Sequence, residues 1–152
     1  MRAIDRYEGV FFRVLKKYLK EGLLRDVDIL IITKRHGLIG SEEFIPYEPT
    51  FTSKVLSKDA SKMRDQNLRT LSEWLSRKQY SEIYVNCGQE FMQLIKGFEK
   101  LTTSKITFAV GSRRGIGPKA AHMKNWILER SESMYAERSR RESLAHHRLT
   151  EV

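Results

Sequence analysis

The sequence predicts a small three-layer α/β sandwich, a mostly parallel sheet of about three to four strands with helices on both faces. Three observations lead there. Short β-branched and aromatic runs recur at residues 27–33, 81–86 and 105–110. Segments with apolar residues at helical spacing lie between them, and glycines and prolines stand at the junctions. Strands separated by helices imply right-handed crossovers and hence parallel pairing. The 152 residues suffice for one core. Residues 1–130 read as a single α/β domain and 131–152 as a charged C-terminal tail or frayed helix.

A helix is predicted first, over 7–21. Phe11, Val14, Leu15, Tyr18 and Leu19 recur on one face, Arg13, Lys16, Lys17 and Lys20 fill the other, and Gly22 is a suitable stop. Residues 27–33 (VDILIIT) are too short for a helix and read as a buried strand. Over 34–52, Gly37, Gly40, Pro46 and Pro49 leave no sustained period, which predicts a long functional loop. Ser57 can cap a second helix over about 58–78, with Asp59 in its first turn and Met63, Leu68, Leu71, Trp74 and Leu75 as its stripe. Residues 81–86 (SEIYVN) form the second strand, which Cys87-Gly88 turns into a helix carrying Phe91, Leu94, Ile95 and Phe98. Residues 105–110 (KITFAV) are the third strand. After Gly111-Ser112-Arg113-Arg114-Gly115-Ile116-Gly117, Pro118 suits the first position of a last helix running to about Arg130. That helix would bury Ala121, Met123 or Ala120, Trp126 and Ile127.

Charge and composition narrow the function classes. The chain carries +9 at neutral pH. Residues 1–26 hold seven Lys/Arg against four Asp/Glu, and residues 111–130 hold five against one. The tail is balanced, four arginines against four glutamates. The excess therefore belongs to the folded part, which favours nucleic acid or another polyanion as partner; a basic surface with no specific partner fits the same numbers. No apolar run approaches the ~20 residues of a membrane helix, and the start shows no secretory signal. A single cysteine, Cys87, excludes an intrachain disulfide and makes a cysteine zinc site improbable. The expectations are a cytoplasmic location, no membrane, no metal and no cofactor.

Ligands of parallel α/β sheets bind outside the carboxyl ends of the strands. Three predicted loops converge there: one with Lys34, Arg35 and His36, one with Asn86, Cys87, Gly88 and Gln89, and one over 111–117. In the third, Gly115 and Gly117 allow close backbone approach, while Ser112, Arg113, Arg114 and Lys119 add donors and charge beside a helix N-terminus. Its spacing is neither a P-loop nor a dinucleotide fingerprint, and a tight turn with solvated arginines accounts for it equally. His36 can serve as an acid, a base or a phosphate donor, or be merely solvated. Tyr47 and Glu48, held between Pro46 and Pro49, suit a base edge or a ribose hydroxyl, or form a capped turn packed on the core. Cys87 reads as a buried thiol rather than a nucleophile. His146-His147 lacks metal-ligand partners nearby in sequence.

The run Ile31-Ile32-Thr33-Lys34-Arg35-His36-Gly37-Leu38-Ile39, followed by Ile45-Pro46-Tyr47-Glu48, resembles a poorly characterised bacterial and phage domain family. That family is similar to the YaaA-like peroxide-stress proteins and, distantly, to the uracil-DNA-glycosylase-like α/β fold. Tyr7-Glu8-Gly9 with Phe12, and Arg114-Gly115-Ile116-Gly117, match further landmarks, so that the resemblance spans about residues 3–128. It implies a three-layer α/β fold and an association with nucleic acid or nucleotide chemistry. Members usually open with a further strand ending in a Cys/Ser-Lys loop, and Thr33 and His36 stand where they carry Ser and Tyr. Absence of that strand would leave an unpaired sheet edge for another copy or a partner chain to cover.

Three functions follow as expectations. The first is a nucleic-acid- or nucleotide-binding domain with basic strand-end loops and little catalysis. The second is a nucleotide- or nucleobase-processing enzyme with His36, Tyr47, Glu48 and Asn86 around the substrate. The third is a truncated domain acting as an assembly partner in a larger complex.

Overall fold

A computed structural model describes residues 1–46, 57–110 and 116–150. The first helical segment is split. Helix α1 spans Ala3–Arg6 and α2 spans Val10–Lys20, with extended backbone at Tyr7 and Gly9 between them. Strand β1 covers Leu30–Thr33 and β2 Gly37–Gly40; α3 runs over Ser57–Arg77 and β3 over Glu82–Val85. A short α4 (Gln89–Met92) leads into 3-10 turns at Gln93–Ile95 and Phe98–Leu101, then β4 (Lys105–Phe108) and α5 (Ile116–Thr150).

The sheet corrects the sequence expectation. In place of one mostly parallel sheet of three to four strands, the described residues form two sheets of two strands each. Strands β1 and β2 form an antiparallel hairpin in the register Leu30↔Gly40 to Thr33↔Gly37, whereas β3 and β4 pair in parallel from Glu82↔Lys105 to Val85↔Phe108. Strand β2 lies inside the predicted loop because its two glycines read as breakers. Both in fact serve the hairpin. Gly37 has φ +69°, a left-handed conformation that closes the turn, and a Cβ on Gly40 would sit 2.9 Å from the Trp74 ring. Thr33 Oγ1 donates to the Gly37 carbonyl at 3.0 Å and accepts from the His36 N–H at 2.8 Å.

No ladder hydrogen bond joins the two sheets, yet side chains tie β1 to β3 at both ends. Before the strands, Lys78 and the Tyr80 hydroxyl both reach the Asp28 carboxylate. After them, Lys34 Nζ meets Glu90 Oε1 at 2.7 Å. These pairs set β1 and β3 side by side and pointing the same way.

Alternation distributes the strand residues between two apolar layers. Ile31 and Ile39 join Ala3, Ile4 and Ile45, with Tyr7, Phe12 and Leu15 packed around them. Val14, Tyr18 and Leu24 meet Met123 and Ile127 of α5, with Tyr84 and Trp126 at the margin. On the other side Leu71, Val85, Ile95 and Phe98 gather Leu30, Ile32, Leu38, Ile83 and Ile106 from both sheets. That shared cluster joins the halves apolarly where backbone pairing does not. Phe108, the last residue of β4, is 45% exposed, and Ala121 is exposed while Ala120 is buried.

The helix expected after Gly88 is broken at Gly97, whose φ is +92°. The stretch 131–150, expected as a tail or frayed helix, continues α5, and Ser131 Oγ donates to Leu23 O at 3.1 Å. Among the described residues, no helix is long and apolar enough to cross a membrane.

Candidate functional site

Strands β1 and β3 point the same way, so the segments that follow them share one edge. Lys34 leaves β1 and is anchored there by the Glu90 ion pair, with its ammonium 5.7 Å from the centre of the Phe91 ring. Asn86, Cys87, Gly88 and Gln89 leave β3. Gly88 is the N-cap of α4, and its carbonyl accepts from the N–H groups of Phe91 and Met92. Gly88 and Gln89 are exposed. Lys119 of α5 stands within electrostatic reach of Cys87. The structure thus brings Lys34, Asn86, Gly88, Gln89 and Lys119 to one edge.

Not every predicted residue takes part. Arg35 is exposed and His36 half-buried in the hairpin turn, and no contact joins His36 to Asn86. The Asn86 amide instead approaches Met123 Sδ at 3.6 Å, a weak contact. Tyr47, Glu48, Ser112, Arg113, Arg114 and Gly115 lie outside the described residues. An added Cβ would meet nothing within 4 Å at Gly88 or Gly117, so internal packing does not require glycine at either. Burial pushes the Cys87 thiol up, against the opposing pull of Lys119, so Cys87 is a poor thiolate nucleophile.

Two features escaped the sequence reading. Asn67 is 2% exposed on the apolar face of α3; its Oδ1 accepts from Leu38 N–H and its Nδ2 donates to Leu94 O, both at 2.9 Å. One side chain therefore sets the hairpin against the turn that follows α4. Its signal was a polar residue four positions after Met63 and four before Leu71, on a helix stripe that is otherwise apolar. The second feature is the polar row of Glu82 and Tyr84 on alternate positions of β3, with Asn86 just beyond its end, facing α5. Glu82 accepts from Thr107, Trp126 and Arg130, and Tyr84 Oη lies 2.8 Å from His122 Nδ1. Period two on the strand and helical spacing of His122, Trp126 and Arg130 carried that signal.

The electrostatics of these groups are structural. Arg130, aided by Thr107 and Trp126, holds the Glu82 carboxyl down to about 2 against its partial burial. Burial pushes Tyr84 up to about 12, so it stays a neutral phenol. No family model, curated protein or solved structure matches the chain. A cavity of about 370 Å³ lies at the opposite end of β1 beside Asp28, Trp74 and Arg77. None of the sequence-predicted residues lines it. No group of three or more His, Cys, Asp or Glu among the described residues is placed to hold a metal.

Proposed function

We propose that the protein binds nucleic acid or nucleotide phosphates through the edge at the carboxyl ends of β1 and β3, without strong catalysis. The observation that carries this reading is that two lysines engage the sequence neighbours on either side of the exposed Gly88-Gln89 segment: Lys34 is ion-paired to Glu90, and Lys119 is within electrostatic reach of Cys87. Lysine ammonium groups beside open backbone suit a phosphate better than a neutral ligand. The sequence adds Arg113 and Arg114 in the segment between β4 and α5. The resemblance to YaaA-like proteins fits the same reading.

A panel of nucleotides and generic oligonucleotides, scored by melting shift at two salt concentrations, tests it. Salt-sensitive stabilisation by oligonucleotides is expected, because phosphate contacts release counterions. K34Q/K119Q should weaken binding at least tenfold, about 1.4 kcal/mol. Unchanged binding by that variant would remove the edge from the account. A sharp shift with one nucleotide and none with polymer would favour the nucleobase-processing reading instead.

A second reading rests on the edges of β1 and β3 that pair with no strand among the described residues, tied at both ends by side chains. An extended segment of another chain adds to such an edge by backbone hydrogen bonds. A salt-insensitive dimer in light scattering would support it, and a monomer at high concentration would count against self-assembly.

A further inference from the structure

We infer that the outer face of α2, continued by Lys124 of α5, is a second phosphate-backbone contact surface, separate from the strand-end edge. The inference rests on the polyanion reading and names where else the partner is held.

Helix α2 divides cleanly around its axis. Phe12 faces the β1–β2 hairpin, Phe11, Val14 and Tyr18 face α5, and Leu15 and Leu19 pack against both. What remains, after Val10 at its start, is Arg13, Lys16, Lys17 and Lys20. Arg13, Lys17 and Lys20 are exposed, and none of the four ion pairs with a described residue. Several cations elsewhere are committed: Arg2 to Asp5 and Glu42, Lys34 to Glu90, Lys78 to Asp28 and Arg130 to Glu82 and Glu129. A stripe of unneutralised positive charge is thus concentrated on one helix.

Helix α5 extends the stripe. Lys124 is exposed and sits two turns before Ser131, whose hydroxyl donates to Leu23 O just beyond α2. Residues seven apart share a helix flank, so Lys124 lies on the side of α5 that borders α2. From Arg13 to Lys20 the helix rises ~10 Å, about three base-pair steps measured along the axis of a duplex. Long flexible side chains then meet successive phosphates without reading bases. An anionic membrane would ask for an apolar face beside the charges. In α2 that face is already packed into the core, which leaves an electrostatic partner, and nucleic acid backbone is the one the charge spacing fits.

The test compares R13Q/K17Q/K20Q with K62Q/K96Q/K100Q, three exposed lysines on α3 and around the 3-10 turns, away from α2 in sequence. A generic 20-base-pair DNA is titrated by fluorescence anisotropy at several salt concentrations, with melting temperatures checked for both variants. The α2 variant should bind at least tenfold more weakly at low salt and lower the slope of log K against log salt by about two to three. The control should change binding less than threefold. Equal losses in both would mean a diffuse field and overturn the inference, as would an unchanged slope in the α2 variant. Binding to anionic vesicles in place of DNA would overturn it too. Loss in the α2 variant with none in K34Q/K119Q would sink the edge and keep the helix face; the reverse pattern would do the opposite.

Discussion

The two halves of the strand layer have their register set by different means. In the β1–β2 hairpin the information is local: a turn over Lys34 to His36, Thr33 bridging it, and Gly37 in a conformation few other residues adopt. In the β3–β4 pair the strands are far apart in sequence and no turn aligns them. Side chains do that work, with Glu82 at the start of β3 collecting Thr107 from β4 and both Trp126 and Arg130 from α5. A hairpin carries its register within itself, while a parallel pair must import it from the layer above.

The largest expected effect breaks the hairpin side. A Cβ on Gly37 would lie 2.5 Å from Asn67 Oδ1, the acceptor for Leu38 N–H. G37A should cost ~2–4 kcal/mol in urea unfolding, from the left-handed backbone and the displaced hydrogen bond together. N67A strands a buried N–H and a buried carbonyl and should cost about as much. In the double variant the clash is absent, so its cost should fall short of the sum by ~1 kcal/mol or more. Strict additivity in that cycle would show that Asn67 is not what Gly37 accommodates.

The same contrast explains what was legible. Three of the four strands showed as β-branched runs, and α2, α3 and the start of α5 as apolar stripes with capping or stop residues near their ends. Strand β2 was missed because Gly37-Leu38-Ile39-Gly40 has too few side chains to show a period, and its glycines answer to Asn67 and Trp74, contacts visible only in three dimensions. Parallel continuity of the whole sheet was inferred from the order of elements, and order says nothing of whether β1 and β3 share a ladder. At the candidate site the residue types pointing to phosphate were readable. The Glu90 partner of Lys34 and the Asn67 clamp were not, since each depends on the docking of α4 and its 3-10 turn.

The parallel half sharpens through pH. The Glu82 carboxyl is lowered from 4.5 to about 2, so the native state binds its proton more weakly than the unfolded chain. Its contribution is fully present above about 4.5 and is lost as pH falls toward 2. E82Q should cost on the order of 1.5–3 kcal/mol at pH 7, the worth of hydrogen bonds to a charged group. The difference from the parent should shrink as pH drops through that window. A constant difference between pH 7 and pH 3 would show that the glutamine loses packing rather than charge.

The smallest effect on stability sits at the junction of the halves, and there the sign of a binding change is informative. The Glu90 carboxylate is 61% exposed and pairs with Lys34 at 2.7 Å. Exposed pairs contribute ~0–1 kcal/mol, so E90Q should shift unfolding by less than that. Both halves should remain docked through the cluster of Leu30, Ile32, Ile83 and Val85. Yet the substitution removes the charge that neutralises Lys34, and Glu90 also repels any phosphate brought to Gly88-Gln89. Oligonucleotide binding at low salt should therefore strengthen, by about two- to fivefold for one nearby charge partly screened by solvent. K34Q should do the reverse at the same small cost in stability. If E90Q weakened binding while leaving the fold intact, Glu90 would be holding Lys34 in its binding position rather than competing for it. The ion pair would then be part of the site.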